Sequence, residues 1–309
     1  MGVFTTILQK LIPLYALIFI GFIAGRLLHV KKESVATLLI YVIAPMVVFH
    51  GIATVQLDPG RLTLPVLFFT LCCLICLTFY KVAGIFWRAP TKNILAFAVG
   101  SGNTGYFGLP VTAFLFGPEA VGLTILSAFG FILYENTLGF FITARGHHTI
   151  KESLLRVLKL PTVYAFALGV IVNLSGASFD KTMQDFGMNF RGAYSVLGMM
   201  LIGLGVASQE KLKLHAKFVS LSFAAKFLVW PLVVSAIIYL DRTRFHLYDP
   251  LTHNVMFLMA IVPLPANSVA VATELKSEPE KAAMAVLLST LFALFYIPLM
   301  TGWFLTTGP

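Results

Sequence analysis

The chain has 309 residues, 58% apolar and 11% charged, with a mean hydropathy of +0.89. A soluble domain carries about 25% charged residues, so the composition excludes a soluble enzyme or binding module and describes a polytopic, all-α membrane protein. The formal net charge of +9 would suit a nucleic acid, but the placement of the basic residues gives it another cause.

Charged punctuation divides the chain into ten apolar segments, each near the roughly 20 residues a helix needs to cross a bilayer. They fall at 6–28, 35–56, 62–87, 93–116, 119–144, 160–178, 191–208, 214–240, 251–273 and 281–305. The first has Lys10 before its apolar run, as a signal peptide would. Its length, its exit through Arg26-Leu-Leu-His-Val-Lys-Lys and its lack of a small-residue cleavage site mark it instead as a retained helix. Gly21 and Gly25 give it a small-xxx-small face for another helix.

Pro45 kinks the second segment, and His50 falls near its outer end. Cys72, Cys73 and Cys76 cluster on the third; with no further ligand at matching depth they read as packing, and no metal site is expected. The fourth contains Gly100-Ser-Gly-Asn-Thr-Gly-Tyr-Phe-Gly-Leu-Pro110. Glycine and proline break a helix where lipid offers freed backbone groups no partner, so such a break must be buried in protein or line a watery cavity. The fifth carries Glu135 at mid-length, in Leu133-Tyr134-Glu135-Asn136-Thr137.

The most polar connector, Arg145 to Lys159, follows and divides the chain into 1–145 and 146–309, five segments each. An odd number of crossings per half makes the second enter from the opposite side, so the halves are expected to be inverted repeats. Gly117-Pro118-Glu119 after the first break and Glu278-Pro279-Glu280 after a second one agree, each preceding a helix with a Leu-Ser pair (Leu126-Ser127, Leu288-Ser289). The stretch Asp180 to Arg191 reads as a small external excursion before a short seventh helix.

Within that helix Gly203-Leu-Gly205-Val-Ala-Ser208 has dinucleotide-like spacing but no preceding strand. The eighth segment carries Lys226 at mid-length, four residues after Ser222. The ninth has His253 near its outer end and contains Pro263-Leu-Pro265-Ala-Asn267-Ser268, in the place corresponding to the first break. Paired interrupted helices at equivalent positions are the best sequence pointer to a transporter's binding site.

The loops after the odd segments hold fifteen basic residues, from Arg26 through Lys92, Arg145, Lys211 and Lys213 to Lys281; the other side holds six, Lys10, Arg61, Lys181, Arg191, Arg242 and Arg244. The positive-inside rule then puts both termini outside and explains the basic balance without nucleic acid.

At the breaks, Asn103, Thr104, Asn267 and Ser268 supply side-chain donors and acceptors. Gly102, Gly105, Gly108, Pro110, Pro263 and Pro265 shape the interruptions, and resuming helices aim positive dipole ends at the cavity. Such a site suits an anion. Glu135 and Lys226 are the two charges placed near mid-membrane, where an ionised group costs at least ~2.5–3.5 kcal/mol and must pair or face water. They are expected to approach one another at the crossing, as a proton-sensitive pair or part of the substrate site. A purely structural salt bridge and a Lys226 that snorkels to the cytoplasmic side are the alternatives. His-Glu-x-x-His, Gly-x-Ser-x-Gly and Walker signatures are absent, so no enzyme is expected.

Asn103, Thr104, Gly108 and Pro110, with Leu264, Pro265, Asn267 and Ser268, resemble the two break motifs of the auxin efflux carrier family, whose bacterial members include malonate and related organic-acid carriers; Pro45, Ser289-Thr290-Leu291 and Pro298 also fit. That family is similar in fold to bile acid:sodium symporters. The resemblance implies that spans 1, 2, 6 and 7 form a scaffold, and that spans 3–5 and 8–10 form a transport domain with broken helices 4 and 9 crossing. It also implies elevator-like movement of one group against the other, and leaves room for a homodimer whose interface no residue specifies. In the related sodium/proton antiporters, an acidic residue and a lysine on the helices of Glu135 and Lys226 serve ion coupling. The resulting expectation is a multi-pass secondary transporter of a small mono- or dicarboxylate in a cytoplasmic (inner) membrane. It needs no cofactor beyond Na+ or H+ as coupling ion. A cation/proton antiporter using Glu135 and Asn136, or a receptor that binds without flux, are the other readings.

Overall fold

Segments without water around them must close their backbone hydrogen bonds internally, and this chain does so as helices. The computed structural model describes residues 3–54, 63–208 and 214–307, with no strand among them. Arg61, Lys211 and Lys213 lie outside the described residues, as do the side chains of Lys10, Pro110, Pro118 and Glu119.

The helices are α1 (Val3–Leu27), α2 (Lys32–Thr54), α3 (Thr63–Phe86), α4 (Thr91–Val99), α5 (104–116), α6 (118–144), α7 (Ile150–Leu158), α8 (Pro161–Leu174), α9 (Lys181–Ala207), α10 (Ala216–Phe245), α11 (Pro250–Ile261), α12 (Asn267–Glu274) and α13 (Pro279–Thr307). Among the described residues six are long and apolar enough to cross a membrane, within α2, α3, α6, α9, α10 and α13. A seventh is gained if α7 and α8, bent by 48°, form one span. The protein is therefore a polytopic helical membrane protein, but length and apolarity alone do not give ten spans. The fourth and ninth segments are each two short helices, α4–α5 and α11–α12, because glycine and proline interrupt them where predicted.

The supposed excursion from Asp180 to Arg191 is helical. Asp180 caps it by accepting from the Met183 N–H at 2.9 Å, and α9 then runs unbroken for 27 residues. His253, near the outer end of its segment, is packed inside the protein. It is 3% exposed and bonded to Asp241 Oδ2 at 2.8 Å, while Asp241 accepts from the Leu247 and Tyr248 N–H groups that turn the chain toward α11.

Two groups of helices pack within themselves. In the first, α1 meets α9 through small residues: a Cβ on Gly21 would overlap the Met200 carbonyl, one on Gly203 the Ile18 carbonyl, and one on Gly25 would come within 2.7 Å of Ala207 Cβ. There α2 meets α8 at Gly169, which faces Phe49 and Ile52, while Asn173 Nδ2 donates to the Ile52 carbonyl at 2.9 Å. In the second group Gly130 of α6 rests on the Pro65 carbonyl of α3, and Phe227 of α10 stacks edge-on against Phe292 and Tyr296 of α13. Gly205 of α9 touches Ala283 and Val269 and joins the groups.

Five widened, π-type turns interrupt the helices: Leu39–Ile43, Thr104–Gly108, Glu135–Gly139, Ala225–Val229 and Asp241–Phe245. Three precede a proline by two residues (Pro45, Pro110, Pro231), whose missing N–H removes a bond from the regular ladder. No proline accounts for the turn at Glu135. Such turns cluster at functional sites, and three of the five carry a buried charge: Glu135, Lys226 and Asp241. The backbone is left-handed at Gly117 (φ 80°) and at Glu278 (φ 57°), each immediately before a helix-starting proline.

Candidate functional site at the two helix breaks

The first break leaves the last carbonyls of α4 without helical partners, and in a bilayer each needs a donor. Three side chains supply them. Tyr134 Oη donates to the Phe97 carbonyl at 3.1 Å, Trp230 Nε1 to the Val99 carbonyl at 2.7 Å, and Lys226 Nζ to the Ser101 carbonyl at 3.2 Å. All three side chains are fully buried. Their approach needs glycine: a Cβ on Gly100 would overlap the Tyr134 hydroxyl, and one on Gly102 would sit 2.6 Å from Lys226 Nζ.

The second break runs from Val262, extended at ψ 152°, through Pro263 and Pro265 to the start of α12 at Asn267. The Leu264 N–H donates to Ser289 Oγ of α13 at 3.1 Å. The breaks touch directly: the Asn103 N–H donates to the Pro263 carbonyl at 2.8 Å. Where they meet, the buried Glu135 carboxylate accepts from Ser101 Oγ at 2.5 Å with one oxygen and from Asn267 Nδ2 at 2.9 Å with the other.

Glu135 and Lys226 are thus brought to one place without forming an ion pair. No N···O contact within 4.0 Å joins them among the described residues; Ser101 links them, through its hydroxyl to the acid and its carbonyl to the ammonium. Lys226 also lies 4.5 Å from the Trp230 ring, a cation–π contact. With 0% exposure it does not snorkel.

Other predicted residues are placed differently. Asn136 is turned away from the crossing, its amide donating back to the Ile132 carbonyl at 2.9 Å. The Ser268 hydroxyl closes on the Pro265 carbonyl at 2.7 Å, and Ser222 bonds the Phe218 carbonyl, so no Ser–Lys catalytic pair forms. Thr104 is buried, its N–H bonded to the Gly102 carbonyl; Gly108 packs on Met259; Gly105 is exposed, with nothing within 4 Å of where a Cβ would lie. Ser101, Tyr134 and Trp230 were not singled out by sequence, and Ser289 only within a repeated Leu-Ser pair and a family motif. Their signal was weak: Ser101 sits between two glycines of the break, and the aromatic pair carries polar tips at mid-membrane.

The profile of a family described as membrane transport protein matches residues 6–153. The chain is 25% identical over 312 residues to an uncharacterized transporter of Methanothermobacter thermautotrophicus, covering 97% of each. It is 23% identical over 303 residues to an uncharacterized transporter of Methanocaldococcus jannaschii, covering 94% of this chain and 96% of that one. These matches bear out the auxin efflux carrier resemblance carried by the two break motifs and identify the protein as a membrane transporter.

Proposed function

We propose that the protein is a secondary transporter of small organic anions, mono- or dicarboxylates, with its site where the two helix breaks meet. The carrying observation is that one buried carboxylate, Glu135, joins Ser101 of the first break to Asn267 of the second. We count ten crossings as two inverted halves, with α4–α5 and α11–α12 as the broken fourth and ninth, both termini outside, and the membrane a cytoplasmic (inner) one. The division into a scaffold of α1, α2, α8 and α9 and a moving group of α3–α6 and α10–α13 is supported by the packing of each group within itself.

Charge arithmetic supports coupling. An ionised Glu135 and a protonated Lys226 are neutral together. A substrate carboxylate arriving beside them adds one uncompensated negative charge in a low-dielectric site, which is costly. A proton on Glu135 restores neutrality and frees Asn267 to turn its amide toward the substrate. The coupling ion in this reading is a proton; Na+ beside an ionised Glu135 would balance the charge equally. Cation/proton antiport remains the second reading because the crossing holds a buried acid, with Asn267 in the place once given to Asn136.

A proteoliposome uptake screen of mono- and dicarboxylates, with proton or sodium gradients imposed separately, tests the proposal beside Asn267→Ala. Gradient-dependent accumulation of a carboxylate, weakened in Asn267→Ala, is expected. Cation flux without any organic anion would transfer the site to the second reading, and equal handling by variant and wild type would remove it from this crossing.

A further inference from the structure

Away from the crossing, an apolar groove of about 580 Å³ opens between α2 and α8, lined by Pro45 and Phe49 on one wall and Pro161, Tyr164 and Ala165 on the other, with the exposed Lys159 also in its lining. Its origin is in the sequence. The two helices close on each other where Gly169 meets Phe49 and Ile52. Below that contact they part, because α2 widens before Pro45 and the chain bends by 48° between α7 and α8. We propose that this groove is a binding site for an anionic phospholipid, one acyl chain lying in it and the headgroup phosphate held by Lys159.

Depth, charge and the neighbouring helix carry the assignment. The 14 residues of α8 rise about 21 Å at ~1.5 Å per residue, short of the ~30 Å hydrocarbon core. A span that short is met by local thinning of the bilayer, and at its end the chain bends by 48° into α7. That helix exposes Ile150, Leu154, Leu155 and Leu158 on one side and carries Glu152, Arg156 and Lys159 on or beside the other, the pattern of a helix lying in the membrane interface. Lys159, between α7 and α8, is then at the boundary of headgroups and acyl chains. No side chain or carbonyl among the described residues accepts from its ammonium, so lipid or water must serve it. An ammonium at that depth gains from a phosphate, and Arg156, one turn earlier on α7, favours a lipid with net negative charge over a zwitterionic one. Apolar walls with one cationic end match a phospholipid and do not match a soluble anion.

Native mass spectrometry of the full chain, delipidated and then titrated with phosphatidylglycerol or phosphatidylcholine, tests the site. The wild type should retain one phosphatidylglycerol in preference to phosphatidylcholine. Lys159→Gln should lower that preference about fivefold, Lys159→Arg should keep it, and Ala165→Phe, which fills the groove, should weaken retention of both lipids. Lys151→Gln, off the groove, should leave it near wild type. Undiminished preference in Lys159→Gln, or an equal loss in Lys151→Gln, would overturn the proposal. So would cross-linking of two copies through cysteines at Met46 and Tyr164, which would make this face a subunit interface.

Discussion

The backbone N–H of Asn103 donates to the carbonyl of Pro263, 2.8 Å away and on the other half of the chain. Because the bond is main chain to main chain, most substitutions at 103 leave it intact, and proline alone deletes the donor. Asn103→Pro is therefore expected to lower unfolding stability by about 1–3 kcal/mol more than Asn103→Ala, the cost of stranding a buried carbonyl. Thermal unfolding in detergent compares the two. Equal losses would mean that the breaks are held together by something other than this bond.

Glu135 joins the same breaks through its side chain, and Glu135→Gln keeps its shape. The amide oxygen can still accept from Asn267, and the Ser101 hydroxyl can rotate to accept from the new NH2 group. The fold should survive while the titrating group is lost. Uptake driven by a proton gradient should fall to the level seen without one, whereas binding of the anion, measured by calorimetry, should persist or tighten because a negative charge has gone. A variant that still accumulates substrate against a proton gradient at the wild-type rate would take Glu135 out of coupling.

Two glycines of the first break separate packing from access. A Cβ on Gly102 would lie 2.6 Å from Lys226 Nζ and 2.8 Å from Val262 Cγ2, so Gly102→Ala should cost about 1–3 kcal/mol of stability through overpacking. Gly105 has open space around it, and Gly105→Ala should change stability by no more than about 0.5 kcal/mol. If substrate approaches the break from that side, Gly105→Leu will raise KM for uptake in a well-folded protein. Wild-type KM in Gly105→Leu would place the route elsewhere.

These contrasts mark how far the sequence could be read. Hydropathy and charge punctuation located nearly every helix, and Gly100–Pro110 and Pro263–Ser268 located both breaks, because backbone chemistry is local and glycine and proline announce it. Glu135 and Lys226 stood out because charge is rare at mid-membrane. Their relation was not legible, since the link through Ser101 depends on which way two helices face. Asn136, adjacent to the acid, looked the better partner; its position on α6 turns it back to Ile132, and Asn267, 132 residues away, takes its place. Asp180–Arg191 read as a loop because its charges mask a helical spacing of Met183, Phe186 and Phe190.

Trp230 illustrates a role that composition hides. Its ring packs on Phe131 with centroids 5.5 Å apart, while its Nε1–H meets the Val99 carbonyl at the end of α4. Trp230→Phe keeps most of the packing and removes the donor, so the buried carbonyl is left unserved at about 1–3 kcal/mol. Thermal unfolding should register that loss. Trp230→Phe with an unchanged midpoint would show that the carbonyl finds water and that the end of α4 is wet.

Movement of one helix group against the other must break a set of polar contacts between α2 and the adjoining ends of α12 and α13. Lys32 pairs with Glu280, Thr37 Oγ1 donates to Glu274 at 3.0 Å, and Tyr41 Oη donates to the same carboxylate at 3.2 Å. Partly exposed contacts of this kind are each worth about 0–1 kcal/mol, weak enough to be remade in every cycle. Thr37→Cys with Glu274→Cys, in a chain whose half-buried Cys73 is replaced by alanine, should transport near the wild-type rate until a short bismaleimide joins the two thiols. Uptake should then stop, because α2 belongs to the group proposed to stay still and α12 to the group proposed to move. Full uptake in the cross-linked protein would mean that these helices never separate, and alternating access would have to come from motion within one group.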